Sequence, residues 1–368
     1  MYHHDNRIVI TLDAGGTNFV FGAMKGCEFI VEPVTIPSRA DNLDLCLQAM
    51  VNGFKTIIDL LDEKPVAISF AFPGPADYPN GIVGGYMPNF PSFRDGVALG
   101  PFLQEKFGLP VFINNDGDLF AFGEATAGVL PEINARVAEA GGNKQYKNLL
   151  GYTFGTGFGI GEVIDGKLNL GNNACIETFC LPSNRNHDVM VEDSVAIRAV
   201  IREYQRISGS REQGLTPKDI CEIADGTRPG NVEAALESFR LFGEAAGDAM
   251  ATAVTLTDSL IVIGGGLTGA ARYIMPALFE RLRSNIHTIN GEQLQRVQMK
   301  VFDLDNPAEF AQFVKGDARE IKVYGSERTV LYDMMKRTGV CLSKLGASKA
   351  ISIGAYTYAL SKIDAGKE

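Results

Sequence analysis

The amino-acid sequence predicts an α/β protein of two related lobes with a cleft between them, and three observations carry that expectation. The chain has 368 residues, room for two cores at about 100 to 200 residues per domain. Continuous apolar runs of strand type alternate with segments whose apolar residues recur at three- and four-residue steps. Most informative, a strand, a glycine turn and a second strand occur together twice. The first unit is Ile8 to Leu12, then Asp13-Ala14-Gly15-Gly16-Thr17-Asn18, then Phe19 to Met24; the second is Leu149 to Phe154, then Gly155-Thr156-Gly157-Phe158-Gly159, then Ile160 to Ile164. This recurrence predicts duplicated halves that face one phosphate chain.

In chain order, the first strand pair leads to a covering helix over Leu43 to Leu61, with Leu43, Leu47, Met50, Phe54, Ile57 and Leu61 on one face. Val66 to Phe72 is an unbroken apolar run of the kind that forms a buried strand, stopped by Pro73-Gly74-Pro75. A long irregular loop then passes through Tyr86-Met87-Pro88-Asn89-Phe90-Pro91. A helix over Leu99 to Phe107 precedes a short strand, Val111 to Ile113, after which Asn114-Asn115-Asp116-Gly117-Asp118 opens an Ala-rich helix through Gly123-Glu124-Ala125. Residues 132–148 are polar and read as a surface helix or loop. Beyond the second glycine turn, Asp165-Gly166 is a two-residue hairpin signal. Helical patterning returns over Ser194 to Gln205 and over Asn231 to Thr255, where Leu236, Phe239, Phe242, Ala246, Ala249 and Ala253 form the predicted apolar face. Ser259 to Ile263 reads as a buried strand ending in Gly264-Gly265-Gly266. Strand, glycine turn and helix in that order offer helix N–H groups to a nucleotide, although a tight turn alone also explains the glycines. Residues 303–338 are more charged and read as an inserted excursion before a closing helix, Ala350 to Leu360.

Composition narrows the function. Lysine and arginine total 34 against 44 aspartates and glutamates, a net charge of -10, which leaves no electrostatic footprint for a nucleic-acid backbone or an anionic membrane. No stretch approaches about 18 consecutive apolar residues, and the opening Met1 to Arg7 lacks the apolar core of a signal peptide, so the chain reads as cytoplasmic. The six cysteines, Cys27, Cys46, Cys175, Cys180, Cys221 and Cys341, are scattered through an apolar-rich chain. That fits reduced thiols, most of them buried packing residues, better than a disulfide framework.

The glycine turns point to phosphate. Glycines let backbone N–H groups approach an anion closely, and Thr or Asn side chains add donors. A dinucleotide fingerprint would continue from strand and turn into a helix, and Ile160 and Glu162 occupy the positions its third glycine requires. Nor is there a G-x-x-x-x-G-K-[ST] run. Either turn alone reads more readily as a plain hairpin; the pair, followed by an Asn-Asp strand end and a strand that closes on three glycines, does not.

In that order these motifs resemble the ROK family of sugar kinases, glucokinase-like members of the actin-like ATPase superfamily, and the resemblance extends from Ile8 to about Leu360. It implies a two-lobed actin-like ATPase (ribonuclease H-like) fold with duplicated mixed β-sheets. The expected lobes are a smaller N-terminal one, 1–117, joined by the C-terminal helix 350–368, and a larger one, 118–349. It implies carbohydrate metabolism as the setting, ATP and Mg²⁺ as cofactors, and a small sugar as the partner, with a homodimer compatible. On the resemblance, Asp13, Gly15, Gly16, Thr17 and Asn18 form the first phosphate loop, Asp13 holding Mg²⁺ through water. Gly155, Thr156 and Gly157 form the second loop, and Gly265 and Gly266 the adenosine side. Gly74, Asn89, Asn115, Asp116, Glu177 and Glu192 are similar to the sugar-binding positions. Asp116 is the expected general base, since phosphoryl transfer needs a group to accept the attacking hydroxyl proton; the competing role is capping of the helix that follows. Asp118 reads instead as a first-turn carboxylate favoured by the helix dipole.

The chain departs from the family after the second hairpin. Ala174-Cys175-Ile176-Glu177-Thr178-Phe179-Cys180 stands where the family has Ala-Gly-Glu-x-Gly-His, so Cys180 replaces a histidine. No Cys-x-Cys-Gly follows, and no structural zinc is expected; the spacing of Cys175, Cys180 and His187 matches no zinc pattern. The implied reaction is transfer from Mg-ATP to a hexose, at the 6-OH and with glucose first, fructose, mannose and N-acetylhexosamines remaining open. Two other classes compete. A sugar-sensing repressor would need a DNA-binding segment, but seven residues precede the first strand and the charge is negative. A non-catalytic sugar-sensing ROK protein would have no need of Asp116, and an ATPase acting on a protein partner would hydrolyse ATP without sugar.

Overall fold

Apolar runs become strands and periodic runs become helices in the order set out above. The computed structural model describes residues 2–176 and 180–366. Its first elements are β1 (Val9–Ala14), β2 (Asn18–Lys25), β3 (Glu28–Phe29), β4 (Val34–Pro37), α1 (Leu43–Asp59), β5 (Ala67–Ala71), β6 (Ala76–Asp77), β7 (Ile82–Val83), α2 (Leu99–Phe107), β8 (Val111–Asn114) and α3 (Asp116–Ala127). There follow α4 (Val129–Glu139), β9 (Leu149–Phe154), β10 (Phe158–Ile164), β11 (Lys167–Leu168), α5 (Ile197–Ser208), α6 (Pro217–Ala224), α7 (Val232–Thr257), β12 (Leu260–Gly264) and α8 (Ala271–Leu282). The chain closes with β13 (Asn285–His287), β14 (Gln293–Gln295), β15 (Lys300–Asp303), α9 (Pro307–Lys315), β16 (Ala318–Lys322), β17 (Thr329–Asp333), β18 (Arg337–Leu342) and α10 (Ala347–Ala365). Two compact units result: Met1–Val129 with Ile160–Glu177 and Leu345–Glu368, and Leu130–Gly159 with Thr178–Lys344. Among the described residues no helix is long and apolar enough to cross a membrane.

The sheet of the first unit runs β3-β2-β1-β5-β8, with β4 also on β2. β2 returns antiparallel on β1, while β5 and β8 are parallel to it, with Asp13 opposite Ala71 and Ala71 opposite Asn114. The carboxyl ends of the three parallel strands therefore lie side by side, the edge at which open α/β sheets take ligands. One face of the sheet is covered by Cys46, Met50, Phe54 and Ile57 of α1, which begins at an Asn42 cap accepting the Leu45 N–H. The other face packs Val9, Met24 and Ala67 against Ile353, Tyr356 and Ala359 of α10. α10 and α3 cross backbone to backbone, because a side chain at Gly123 would strike the Ala350 carbonyl at 2.0 Å and one at Gly354 the Leu119 carbonyl at 1.9 Å.

The second sheet runs β11-β10-β9-β12-β18-β15. β9, β12, β18 and β15 are mutually parallel, and β10 pairs antiparallel with β11. Asp165 and Gly166 between them both take positive φ, 50° and 74°, the geometry of the predicted two-residue turn. Three elements differ from expectation. Leu236 is 39% exposed, outside the buried face of α7 that holds Phe239, Phe242, Ala246, Ala249 and Ala253. Residues 303–338 are no mere excursion: they hold α9, a β16–β17 ribbon and the start of β18, an interior strand between β12 and β15. Of the cysteines, Cys27, Cys46 and Cys341 are buried, but Cys221 is half-buried and Cys175 and Cys180 are exposed.

Candidate active site

The first glycine turn sits at the carboxyl end of β1. Gly15 N–H closes it on the Asn18 carbonyl at 3.0 Å. Two more of its carbonyls are occupied from outside: the buried Ser38 donates its hydroxyl to Gly16 O and its N–H, at 3.0 Å, to Thr17 O. The N–H groups of Gly16 and Thr17 have no acceptor among the described residues. The turn thus leaves two donors free while the Gly16, Thr17 and Asn18 carbonyls are engaged, a backbone arrangement suited to an anion. Asn89 lies against it, since a side chain at Gly16 would meet Asn89 Cβ at 3.1 Å. The neighbouring Phe90 anchors that loop, stacked on Phe19 at 6.1 Å and tilted on Phe72 at 4.6 Å in the aromatic core.

Asp116 is the first residue of α3. The cap is Asn115, whose side chain accepts the Gly117 N–H at 2.7 Å, so capping does not account for Asp116. Its Oδ1 accepts the same N–H at 2.9 Å, and Oδ2 has no donor among the described residues. The carboxyl is reachable by solvent yet hemmed in by protein, which strips hydration from the charged form. Its pKa is raised by that desolvation, opposed by the Gly117 and Asp116 N–H groups and reinforced by the Asp13 charge. Gly74 follows β5 and is joined to Pro75 by a cis peptide. Asp118 is buried in the first turn of α3, as a dipole-favoured carboxylate should be placed.

The second turn repeats the polarity of the first with different residues. Gly155 N–H donates to Gly157 O at 3.1 Å, Ile197 N–H donates to Gly155 O at 2.9 Å, and Arg198 Nη1 donates to Thr156 O at 3.1 Å. The N–H groups of Thr156 and Gly157 are left without acceptors among the described residues. Glu192 braces this turn: Oε2 accepts the Phe158 N–H at 3.2 Å and Oε1 accepts from Arg198 Nη2 at 2.8 Å. Gly265 adjoins the same strand end, with a φ of 96° and room for no side chain, the Phe154 carbonyl lying 2.4 Å from where Cβ would be. Gly266 opens on empty space and begins a single 3-10 turn, so α8 starts five residues later than a direct strand-to-helix junction would place it.

The structure thus groups Asp13, Gly16, Asn89, Asn115 and Asp116 in the first unit, and Gly155 to Gly157, Glu192 and Gly265 in the second. Glu177 lies outside the described residues. Sequence reasoning missed Ser38, Arg198 and Asn114. Asn114, wholly buried at the end of β8, has neither amide atom bonded within the described residues; its place in an Asn-Asn-Asp run was the available signal. Cys180, expected from the resemblance to replace a histidine, is exposed with Sγ 3.9 Å from Met190 Sδ. Among the described residues no cluster of three His, Cys, Asp or Glu side chains forms a metal cage. The Asp13 side chain is exposed and has no hydrogen-bond or ion-pair partner among them. A lone free carboxylate suits Mg²⁺, which keeps most of its waters and takes its other ligands from phosphates.

Comparison with known proteins points to one family. The model of the ROK family matches residues 9–308. A crystal structure of glucokinase from Parabacteroides distasonis is 56% identical, covers 98% of this chain and 99% of its own, and superposes with a TM-score of 0.91. Glucokinase of Streptomyces coelicolor is 24% identical over 292 residues, 71% of this chain and 82% of the relative. A ROK glucokinase from Streptomyces griseus, solved with glucose and AMPPNP, shares the fold at 18% identity, with a TM-score of 0.60 over 95% of this chain and 98% of that one.

Proposed function

The chain belongs to the ROK family and is a sugar kinase, and we propose that it transfers the γ-phosphoryl group of Mg-ATP to the 6-hydroxyl of glucose, with Asp116 as general base. The observation that carries the reading is the shared polarity of the two glycine turns, each with two free N–H groups and with the Gly16 and Thr17 carbonyls in one, and the Gly155, Thr156 and Gly157 carbonyls in the other, engaged elsewhere. Donors fixed in advance toward an anion stabilise developing phosphoryl charge without reorganising during the reaction. Gly16, Thr17, Thr156 and Gly157 are the donors in this account, joined by the Thr17 hydroxyl and Asn18. Gly265 and Gly266 border the adenosine.

Asp116 Oδ2 accepts the proton of the attacking hydroxyl and becomes a neutral acid. A carboxylate whose charged form is already disfavoured is a stronger base, and its elevated pKa lies in the useful direction. Bound Mg²⁺ supplies charge neutralisation at the phosphates, and Asp13 is the residue assigned to hold it through water. Gly74, Asn89, Asn115, Glu177 and Glu192 are assigned to the sugar hydroxyls. Glu192 retains capacity for that duty, because an ionised carboxylate offers about four acceptor sites and two are used. A cytoplasmic setting and a homodimer belong to the same reading.

Glucose takes precedence because the 56% identical structure is a glucokinase. The test is a coupled ATP-consumption assay over glucose, fructose, mannose and N-acetylated hexosamines. Glucose is expected to give the highest kcat/KM; a higher value for another hexose replaces the substrate, and sugar-independent ATP hydrolysis defeats the kinase reading.

A further inference from the structure

The second unit holds a depression of about 420 Å³ between the 181–191 segment, α7 and the end of α8. At its floor Arg281 Nε and Arg296 Nη1 converge on one oxygen of Asp248, Oδ1, at 2.7 and 3.0 Å. Two guanidinium groups on one carboxylate leave a local excess of positive charge. Both Nη atoms of Arg281, and Nη2 of Arg296, have no acceptor among the described residues. The remaining Asp248 oxygen, Oδ2, is buried without a donor, and so is Asn184 Oδ1 on the facing segment. Buried polar atoms are nearly always hydrogen-bonded, so the pair marks a place where donors are missing. His187 stands exposed at the rim.

We propose that this depression binds a small hydroxylated phosphate monoester. Free guanidinium N–H groups in fixed forks match phosphate oxygens. A phosphate ester dianion carries no donor, so hydroxyls on the rest of the ligand must meet Asp248 Oδ2 and Asn184 Oδ1. The volume lies in the range of small-molecule sites, which run from about 300 to 1,000 Å³. Inorganic phosphate satisfies the cationic half alone, and a neutral polyol the acceptor half alone. The site is independent of the assignment of Asp116.

Isothermal titration of the full chain, with a non-hydrolysable ATP analogue filling the nucleotide site, tests this with glycerol 3-phosphate, inorganic phosphate and glycerol. Saturable binding of one glycerol 3-phosphate per chain is expected, about tenfold tighter than inorganic phosphate, with none for glycerol. Arg281→Gln and Arg296→Gln should each weaken it about tenfold while sugar-dependent turnover persists. Asn184→Ala, on the solvent-side segment, keeps the test available should either arginine variant unfold: it should weaken glycerol 3-phosphate and leave inorganic phosphate unchanged. Absence of saturable binding, affinity unaltered by these substitutions, or equal affinity for inorganic phosphate and glycerol 3-phosphate overturns the proposal.

Discussion

Replacing Asp116 by Asn separates the chemistry from the architecture. Asn keeps the shape of the side chain and an oxygen able to accept the Gly117 N–H now 2.9 Å from Oδ1, and the Asn115 cap is untouched. What disappears is the capacity of Oδ2 to take a proton. General-base assistance contributes about 10² to 10⁴ in rate, or about 2.7 to 5.4 kcal/mol at 1.36 kcal/mol per decade, and the loss should fall on kcat with KM for ATP unchanged. Stability should move the other way. Because the folded-state pKa of Asp116 is raised, the native chain binds more protons than the unfolded chain as pH climbs between the two values, so this group costs stability above its folded pKa. Asp116→Asn is therefore expected to melt no lower than the parent at pH 7. The parent's kcat/KM should fall at low pH along a limb set above the ordinary aspartate value of about 3.9, and the variant should lack that limb. Steady-state kinetics across pH with calorimetric melting measures all three. A variant within tenfold of the parent, or one that keeps the acidic limb, refutes the assignment.

Gly265→Ala should lose about 2 kcal/mol or more from strain at a φ of 96° and collision with Phe154, whereas Gly266→Ala, facing open space, should stay within about 0.5 kcal/mol; thermal melts of both compare them. Arg198→Ala frees the Thr156 carbonyl and Glu192, so KM for ATP should rise about tenfold, while stability, for an ion pair with 45% of the arginine side chain exposed, changes by less than about 1 kcal/mol; unchanged KM would remove the latch role. Asp333→Ala strands the Arg337 guanidinium, 1% exposed, and should cost about 3 to 5 kcal/mol in urea unfolding. Burial pushes the Asp333 carboxyl up, but Arg337 and the Asp317 and Met335 N–H groups pull it below its ordinary value; that stabilisation is present at neutral pH and is lost as pH falls through the folded pKa, a loss the variant should not show.

Features written in local sequence were legible. Apolar runs bounded by glycine gave β1, β2, β9, β10 and β12, and Asp165-Gly166 gave its turn, because backbone preference and burial agree at these places. β18 escaped because its opening Arg337-Thr338-Gly339 resembles a loop. Only tertiary structure makes that arginine a core residue, through Asp333 and the Phe313 ring 5.4 Å away. Leu236 misled for the opposite reason, a helical period continuing past the edge of what α7 covers. At the site, the glycines and Asp116 could be read from motif order. Ser38 and Arg198 could not, since each acts on a turn that is distant in sequence, by 22 and 42 residues respectively.

Those two distant residues fix the sign of each turn. A peptide plane in a glycine turn can rotate to show either its hydrogen or its oxygen, and glycine resists neither choice. The Ser38 bonds at Gly16 and Thr17, and the Ile197 and Arg198 bonds at Gly155 and Thr156, tether those oxygens and oppose the inverted arrangement of their peptide planes. Cut the tethers, and the same glycines could line up carbonyls, a seat for a cation in place of a phosphate. On the proposed reading, the ligand charge these loops accept is decided outside them, by Ser38, Ile197 and Arg198.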